Sequence, residues 1–475
     1  MYWNKEVFGK SLLTFSLVAS LAFQIAAEEQ EAHKGTLQNW EMYGSVRVAG
    51  EQRKRYKWYN KLDSLSASRI NLKKWDVGSD SVLLDTLPIT SLRMGLQNNS
   101  YFGVRGKGEK FGFGFEMGLA AFVQEVGLEG TNQSDISSLS LSQNVRQSTM
   151  LRKIYGDWFI NDFVSFRIGQ DWNIANFFIS NQIFDSDAGL GYCGILYTGR
   201  KPQVKLTVGS KREVLDWKVE TAVVKQDINA FPGTSFSATN GYLQKTEEKL
   251  PKFEIGGELS YRVSTLAEAK IKVVGGLTQY DVMVYKEDDL SRANNLRAPI
   301  KSNLLGVRAD LKVWKASLGF AYAQFKNPAS YGVWVGNPNA SLGDPGMVMF
   351  FPTYSQIDTP QVYGVKNAHT KQGGLVLNVQ ALSWLAWEAG AGKVIAEHDD
   401  STLTAVENSA KNPFGIVNAL TRWAYYTNLQ ISVADDHFHI VPEFSFSDFG
   451  GFTKNKGQEG GGKLYSYGLK LELDI

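Results

Sequence analysis

Apolar and polar side chains alternate along residues 91–119 of this 475-residue chain. On both sides of a Gly-rich turn at 106–109, apolar residues occupy every second position: Leu92, Met94, Leu96, Phe102, Val104, Phe111, Phe113, Phe115, Met117 and Leu119. The positions between them are mostly polar residues or glycine. A period of two residues is that of a β-strand with one apolar and one polar face. The segment therefore predicts a β-hairpin whose two faces meet different surroundings.

The same alternation recurs along the whole chain in segments of about ten residues. The predicted strands are 41–50, the two strands of the 91–119 hairpin, 149–158, 163–172, 202–210, 216–225, 252–262, 267–281, 302–312, 315–325, 373–382, 384–396, 416–432, 437–447 and 463–475. Long polar connections alternate with short turns between them. That plan is typical of a transmembrane barrel with an apolar exterior and a polar interior. We predict an all-β fold: a transmembrane antiparallel β-barrel of about sixteen strands, with long extracellular loops and short periplasmic turns.

The two ends of the chain fit an exported barrel. Residues 1–27 combine a basic start, an apolar stretch at 11–23 and a small-residue cleavage site, which predicts a signal peptide. Residues 28–40 are a short predicted periplasmic segment, and 41–475 form the predicted barrel domain. The alternation in the last strand continues to Ile475, as expected for a strand that closes the barrel against the first.

Composition narrows the possible functions. The single cysteine, Cys193, excludes an intramolecular disulfide framework. A net charge of +2 argues against nucleic acid as a partner, since such binders carry a clear basic excess. A barrel of about sixteen strands encloses an aqueous channel that side chains do not fill. No motif requires a bound cofactor or a metal ion, and we expect none.

Strand alternation predicts which charges line the channel. If Val46 and Val48 face lipid, Arg47 faces the lumen. An arginine or lysine at the lipid midplane would cost about 2–4 kcal/mol, so we place the strand charges inside. The same rule turns these residues inward: Arg93, Arg105, Glu116, Arg167, Asp171, Lys205, Lys218, Glu220, Glu254, Glu258, Arg308 and Asp310. In strand 149–158 the choice between Arg152 and Lys153 stays open.

The loop 173–200 is less polar than an ordinary surface loop. Six of its apolar side chains need burial: Ile174, Phe177, Phe178, Ile179, Ile183 and Phe184. This composition fits a loop that packs against the inner wall of the barrel.

Several segments resemble bacterial outer-membrane porins of the sixteen-stranded trimeric kind. The matching segments are MYGSVRVAG (42–50), YFGVRGKGEKFGFGFEMG (101–118), LRKIYGDW (151–158) and SFRIGQDW (165–172). Two more, IGQDWNIANF (168–177) and GRKPQVKLTV (199–208), look most like the DcaP-like porins, which transport small anionic solutes such as dicarboxylates. The chain departs from these families in its short segment before the barrel and in ending on Ile475 instead of Phe.

The resemblance implies a homotrimer in which 173–200 folds inward as the constriction loop. Its acids, Asp185 and Asp187, would then face a wall made of Arg47, Arg93, Arg105 and Arg167. Opposed charges of this kind set a transverse field, and arginines in a narrow channel attract anions. In a plainer alternative, the arginines only keep the lumen hydrated and pair with Asp171 or Glu116. The inward glutamates also work against anion preference.

These observations predict an outer-membrane porin of a Gram-negative-type bacterium. We expect passive diffusion of small hydrophilic solutes and ions, with a preference for anions such as dicarboxylates, and no catalysis. The barrel would be surrounded by outer-membrane lipid and lipopolysaccharide. The basic run at 53–57, placed in the first long loop, would contact lipopolysaccharide phosphates or a neighbouring subunit, or would simply be solvated.

Two other functions stay open. An adhesin or structural barrel would act through its long extracellular loops, above all 326–371. An outer-membrane hydrolase would need a Ser/His or Asp/His set near the rim of the barrel. His437 and His439 share one face of a predicted strand and could in principle hold a metal ion, but no third ligand is placed beside them, so we interpret them as ordinary surface residues near a turn.

Overall fold

The structure of the protein is a computed structural model. It describes residues 39–61, 82–85, 90–96, 100–119, 126–127, 151–177, 196, 198–210, 212, 214–225, 242–264, 266–286, 296–327, 335–336, 347–348, 353–357, 362–398, 419–433, 437–453 and 459–474. The predicted signal peptide, 1–27, lies outside the described residues, as does most of the 28–40 segment.

The described residues form one closed antiparallel barrel of sixteen strands, which we number in chain order. The strands are β1 (Asn39–Lys61), β2 (Thr90–Leu96 and Tyr101–Lys107), β3 (Phe111–Gly118), β4 (Leu151–Phe159), β5 (Val164–Trp172), β6 (Arg200–Ser210), β7 (Leu215–Val224), β8 (Tyr242–Ser264), β9 (Ala267–Lys286), β10 (Leu296–Val313), β11 (Ala316–Lys326), β12 (Ala368–Leu382), β13 (Leu385–His398), β14 (Ala419–Val433), β15 (Phe438–Thr453) and β16 (Glu459–Asp474). The predicted fold class and strand number are confirmed.

The barrel closes between its first and last strands. β1 pairs antiparallel with β16 from Ser45 opposite Asp474 onwards along the strand. On its other side β1 pairs with both pieces of β2. Ser100, in the gap between those pieces, replaces the missing ladder bonds: its hydroxyl accepts from the backbone N of Arg47 at 2.9 Å and donates to the Arg47 carbonyl at 3.2 Å.

Short turns lie at one end of the barrel and long connections at the other. In the turn from β4 to β5, the Asn161 side-chain oxygen accepts hydrogen bonds from the backbone N of Phe163 and of Val164, both at 2.9 Å. β10 and β11 are joined through Trp314 and Lys315 alone. In porin-type barrels the short turns face the periplasm and the long loops face outward.

The barrel wall has the opposite polarity to that of a soluble protein, with apolar side chains outside and charged side chains inside. Apolar residues at alternate positions are exposed on the outside, as Leu305 is in β10, while Glu116 and Glu254 on the inside are buried. Tryptophans near the strand ends, among them Trp158 and Trp217, are also exposed, as in an interfacial aromatic girdle. Within the part of the chain that the structure describes, no helix is long and apolar enough to cross a membrane.

Several strands extend further than their alternation predicts. β1 continues to Lys61, so the basic run at 53–57 lies in a strand, and its placement in a loop was wrong. Arg53 pairs in the ladder with Ser466 of β16 and Ser91 of β2. Beyond the lipid belt both faces of a strand meet water, so the two-residue period disappears although the backbone pairing continues.

The predicted loops shorten for the same reason. β8 begins at Tyr242, inside the predicted loop 226–251, and β9 and β10 reach into the predicted loop 282–301. The predicted loop 326–371 contains two short antiparallel ribbons, Val335–Gly336 with Met347–Val348 and Thr353–Ile357 with Val362–Lys366.

The outward face of β10 offers a test of the membrane belt. We expect Leu305→Arg, near the middle of the strand, to lower the free energy of unfolding by about 2–4 kcal/mol. Val313→Arg, on the same face at the turn end, should cost about 0–1 kcal/mol because the side chain reaches the interface. Reversible denaturant unfolding of the barrel in lipid vesicles measures both. Equal costs at the two depths would contradict a lipid-facing exterior.

Candidate functional site

The chain turns into the barrel where β5 ends and returns just before β6. Ile174, Ala175, Phe177 and Leu196 are each at most 2% exposed, and the backbone N of Phe177 donates to the Leu196 carbonyl at 2.8 Å. These residues share one buried apolar cluster with inward-facing wall residues: Ala222, Val224, Val274, Leu304, Ala321, Ala323 and Phe325. Both described ends of the 173–200 loop therefore pack on the inner wall. We call residues 173–177, 196 and 198 the loop base.

Two glycines of the wall make room for the loop base. A Cβ atom at Gly256 would lie 2.6 Å from Cγ2 of Ile174. A Cβ atom at Gly306 would lie 2.8 Å from Cε2 of Phe177 and 3.0 Å from Cδ2 of Leu196. Real Cβ atoms essentially never lie closer than 3.0 Å to another heavy atom, so the close approach of loop and wall depends on the absence of a side chain at these two glycines.

Two charged wall residues hold the loop backbone. The Glu254 carboxylate accepts from the backbone N of Ala175 at 3.1 Å. The Lys272 ammonium donates to the Ile174 carbonyl at 2.8 Å and lies 5.6 Å from the centre of the Phe177 ring. Glu254 is itself fully buried and pairs with Lys252 at 3.2 Å. The loop base is thus bound by apolar packing and by hydrogen bonds to charged groups.

Three polar side chains tie the two ends of the loop base together. The Asn173 amide donates to the Thr198 carbonyl at 2.9 Å, and the Asn176 amide donates to the Asn173 carbonyl at 2.8 Å. In return, the backbone N of Thr198 donates to the Asn176 side-chain oxygen at 2.9 Å, and its hydroxyl donates to the Ala175 carbonyl at 2.9 Å. These bonds satisfy buried polar groups without a regular ladder.

Arg47 lies on the inner wall at the seam of the barrel, as the alternation predicts. Its guanidinium pairs with Glu472 of β16, which also accepts from the Ser45 hydroxyl at 2.9 Å and from Lys470 at 2.7 Å. Arg47 and Lys470 therefore share one carboxylate across the closing pair of strands.

Both Arg152 and Lys153 reach the inner wall, which settles the alternative left open by the alternation. Arg152 Nε lies 2.7 Å and Lys153 Nζ 2.6 Å from the carboxylate of Glu116, which also accepts from the Tyr43 hydroxyl at 3.2 Å. The register between β3 and β4 shifts between Glu116 and Met117. Such a β-bulge adds one residue to a strand, so two successive side chains can serve the same face.

Arg167 is held by two acids. Its guanidinium makes a two-pronged contact with Asp157, at 2.6 and 2.8 Å, and also binds Asp171. It lies 3.8 Å above the ring of Tyr155. Arg105 pairs with Glu41 and has 60% of its side chain exposed, so it is far more accessible than Arg167.

A cluster of lysines lies on the inner wall of β6 to β9. Lys205 lies 3.7 Å from Glu220, and Lys218 contacts Glu220 at 3.2 Å and Glu258 at 3.8 Å. Lys270 pairs with Glu258 at 2.7 Å. With Lys272 at the loop base, four lysines surround two glutamates; we call Lys205, Lys218, Lys270 and Lys272 the lysine cluster. Lys270 and Lys272 were not predicted as lumen residues, although both occupy inward positions of β9.

The remaining predicted residues fall into two groups. Arg308 pairs on the inner wall with Asp310, at 2.7 and 3.0 Å. Arg93 pairs in the ladder with Glu51, and its side chain lies outside the described part. Asp185 and Asp187 also lie outside the described residues, so the field between them and the arginines stays a prediction.

A Ser–His–Asp row crosses the last three strands near their turn end. The Ser432 hydroxyl lies 3.0 Å from Nδ1 of His439, whose Nε2 lies 3.3 Å from Asp474. Acyl transfer also needs free N–H donors for the developing oxyanion. The backbone N of Ser432 already donates to the Trp384 carbonyl at 2.8 Å, and that of Asp474 donates to the His437 carbonyl at 2.9 Å. The row therefore links three strands.

No protein-family model and no curated protein sequence matches the chain. Among solved structures, the outer-membrane channel DcaP of Acinetobacter baumannii is similar, with a TM-score of 0.50 and 14% identity over 92% of this chain and 97% of that one. Pseudomonas putida OprB gives a TM-score of 0.45 and 11% identity, over 92% and 94% of the two chains. A loop-deletion mutant of Vibrio cholerae OmpT gives 0.44 and 10%, over 92% and 99%.

The likeness to DcaP, at this low identity, shows a shared fold. The chain folds as a closed sixteen-stranded transmembrane barrel, the fold that it shares with this channel. Its apolar exterior and polar interior make it a multi-pass β-barrel of the bacterial outer membrane.

Removal of the Glu254 carboxylate should release the loop base. In Glu254→Ala the Ala175 N–H loses its acceptor and Lys252 loses its buried counter-charge, which costs about 3–5 kcal/mol when one partner of a buried pair is removed. We expect faster proteolysis within 178–195 in the folded barrel. Glu254→Gln keeps an acceptor for Ala175 and should protect the loop better than the alanine variant. Equal cleavage of wild type and Glu254→Ala would contradict the anchoring role.

Proposed function

We propose that this chain forms a water-filled channel for the passive diffusion of small hydrophilic solutes, with a preference for anions such as dicarboxylates. The observation that carries the proposal is a charged inner wall beside a loop base packed inside the barrel. Charged groups along the lumen keep it hydrated and set which ions enter.

The lysine cluster favours anions more than the predicted arginine wall does. Arg47 and Arg167 are each bound to carboxylates that neutralise them. In the lysine cluster, Lys205, Lys218 and Lys270 share Glu220 and Glu258, and Lys205 also lies 3.9 Å from Asp171, which Arg167 already binds. With Lys272 beside them, the four ammonium groups leave an excess of positive charge next to the loop base. Lys218 and Lys270 are 37% and 38% exposed, against 12% for Lys205, so a passing solute meets these two first.

The remaining parts of the proposal concern partners. We propose a homotrimer, which the resemblance of the sequence to trimeric porins supports, and contacts with outer-membrane lipid and lipopolysaccharide around the barrel. The channel needs no cofactor and performs no chemistry. The occupied backbone N of Ser432 supports this last point, because the Ser–His–Asp row has no oxyanion donor there.

Single-channel recording of the purified protein in a planar bilayer tests the channel. We expect stepwise openings in multiples of three, as from a trimer. Under a salt gradient the reversal potential should indicate anion selectivity. Absence of conductance from correctly folded protein would overturn the channel and favour a barrel that acts through its long loops.

Charge removal from the lysine cluster tests the selectivity. The double variant Lys218→Gln, Lys270→Gln should shift the reversal potential towards cations, because Glu220 and Glu258 would then dominate the local field. The matched control Lys110→Gln, Lys315→Gln removes two exposed lysines from the short turns and should leave selectivity unchanged. The same shift in both variants would place the selective charges elsewhere.

The Ser–His–Asp row gives a test of the non-enzymatic role. Ser432→Ala removes the only hydroxyl that this row offers to a substrate and should leave single-channel conductance unchanged. Esterase and phospholipase assays on wild type and variant should give the same background rate. Hydrolysis by the wild type that disappears in Ser432→Ala would show an enzyme.

A further inference from the structure

Four lysines face outward near the long-loop end of four adjacent strands. They are Lys301 in β10, Lys326 in β11, Lys371 in β12 and Lys393 in β13. Each lies beside a buried, inward-facing residue: Ile300, Phe325, Gln372 and Val394, respectively. Because neighbouring side chains of a strand point to opposite faces, the four lysines belong to the exterior. We call them the lysine row.

The strand register makes the lysine row continuous. Asn303 of β10 pairs with Lys326, so Lys301 and Lys326 are diagonal neighbours. Lys371 pairs with Gln324, and Lys393 pairs with Gly373, which gives the same diagonal relation at each further step. Diagonal neighbours on one sheet face lie roughly 7–8 Å apart. The row thus presents four cations at a regular spacing on one side of the barrel.

The surroundings of the row suit a molecule that is both anionic and apolar. Within the described part of the chain, none of the four ammonium groups is within ion-pair distance of a carboxylate. On the same outer face, exposed Leu305 and Leu375 each lie four residues closer to the turn end than Lys301 and Lys371, respectively. Lys393 lies 4.4 Å from the centre of the Trp423 ring, as amphipathic residues do at a membrane interface.

We propose that the lysine row binds the phosphate groups of an outer-leaflet lipid, whose acyl chains cover the apolar wall beneath it. The row and the apolar belt match the two halves of such a lipid. A second copy of the chain fits less well, since it would have to offer unpaired carboxylates on its own exterior. Asp448, an outward-facing carboxylate near the same end, already pairs with Lys463 at 3.8 Å.

The lysine row gives a place on the barrel to the lipid contact proposed above; it does not depend on the proposed channel and rests only on the position of the row on the exterior of the barrel. Its test is a binding measurement, so a failure of conductance would leave the result unaffected. The probe is a diphosphorylated lipid A added to detergent-solubilised, folded barrel. The comparison probes are the same lipid without its phosphates, and inorganic phosphate alone.

The test variant is Lys301→Gln, Lys326→Gln, Lys371→Gln, Lys393→Gln. We expect it to bind the diphosphorylated lipid at least about tenfold more weakly than wild type, since each lysine contributes to attraction of an anionic lipid. The control variant, Lys107→Gln, Lys110→Gln, Lys312→Gln, Lys315→Gln, removes four exposed lysines from the turn end and should change the affinity less than twofold. If the fourfold test variant does not fold, the single variants Lys371→Gln and Lys393→Gln take its place.

Equal affinity of test and control variants would overturn the proposal. Equal binding of the phosphorylated and dephosphorylated lipids would do the same, because the acyl chains alone would then account for it. Binding of inorganic phosphate as tight as that of the lipid would show a free-anion site and overturn the lipid assignment. A change of oligomeric state in the test variant, without loss of lipid affinity, would assign the row to a second copy.

Discussion

The whole structure depends on one constraint of the hydrocarbon layer, where water cannot serve the peptide groups. Each backbone N–H and C=O there must be bonded within the protein, which for strands requires a closed barrel. The pairing of β1 with β16 satisfies that requirement. Once the wall is closed, each strand divides its side chains between lipid and lumen. The buried charges of the interior and the exposed leucines of the exterior both follow from that division.

The alternation in the sequence was enough to predict the fold, because it records the division between lipid and lumen directly. The alternation does not reveal a single extra residue in a strand, so it could not predict the β-bulge beside Glu116. For the same reason it could not predict that both Arg152 and Lys153 contact the Glu116 carboxylate. It also stops at the edge of the lipid belt. For that reason the predicted first strand ends eleven residues before β1 does, and the basic run at 53–57 was wrongly placed in a loop.

The candidate site was harder to predict than the wall that carries it. The inward position of a charge follows from its own strand, whereas its partner depends on register and on segments far away in the chain. Lys272 binds the carbonyl of Ile174, 98 residues earlier, and no local pattern indicates such a contact. The sign of one inward charge therefore does not determine the local electrostatic field, because residues on neighbouring strands can neutralise it. Arg167 is neutralised in this way, whereas the lysine cluster is not.

Gly256 and Gly306 allow the loop base to pack against the wall because they have no side chain. The position of the loop base is therefore determined by the strands as well as by the loop. A larger residue at either glycine would displace the loop base even if the loop sequence stayed constant. Likewise, this loop could be transferred to another barrel only if glycines were also present at the two wall positions that it packs against. A comparison of relatives by loop sequence alone would overlook the contribution of the wall.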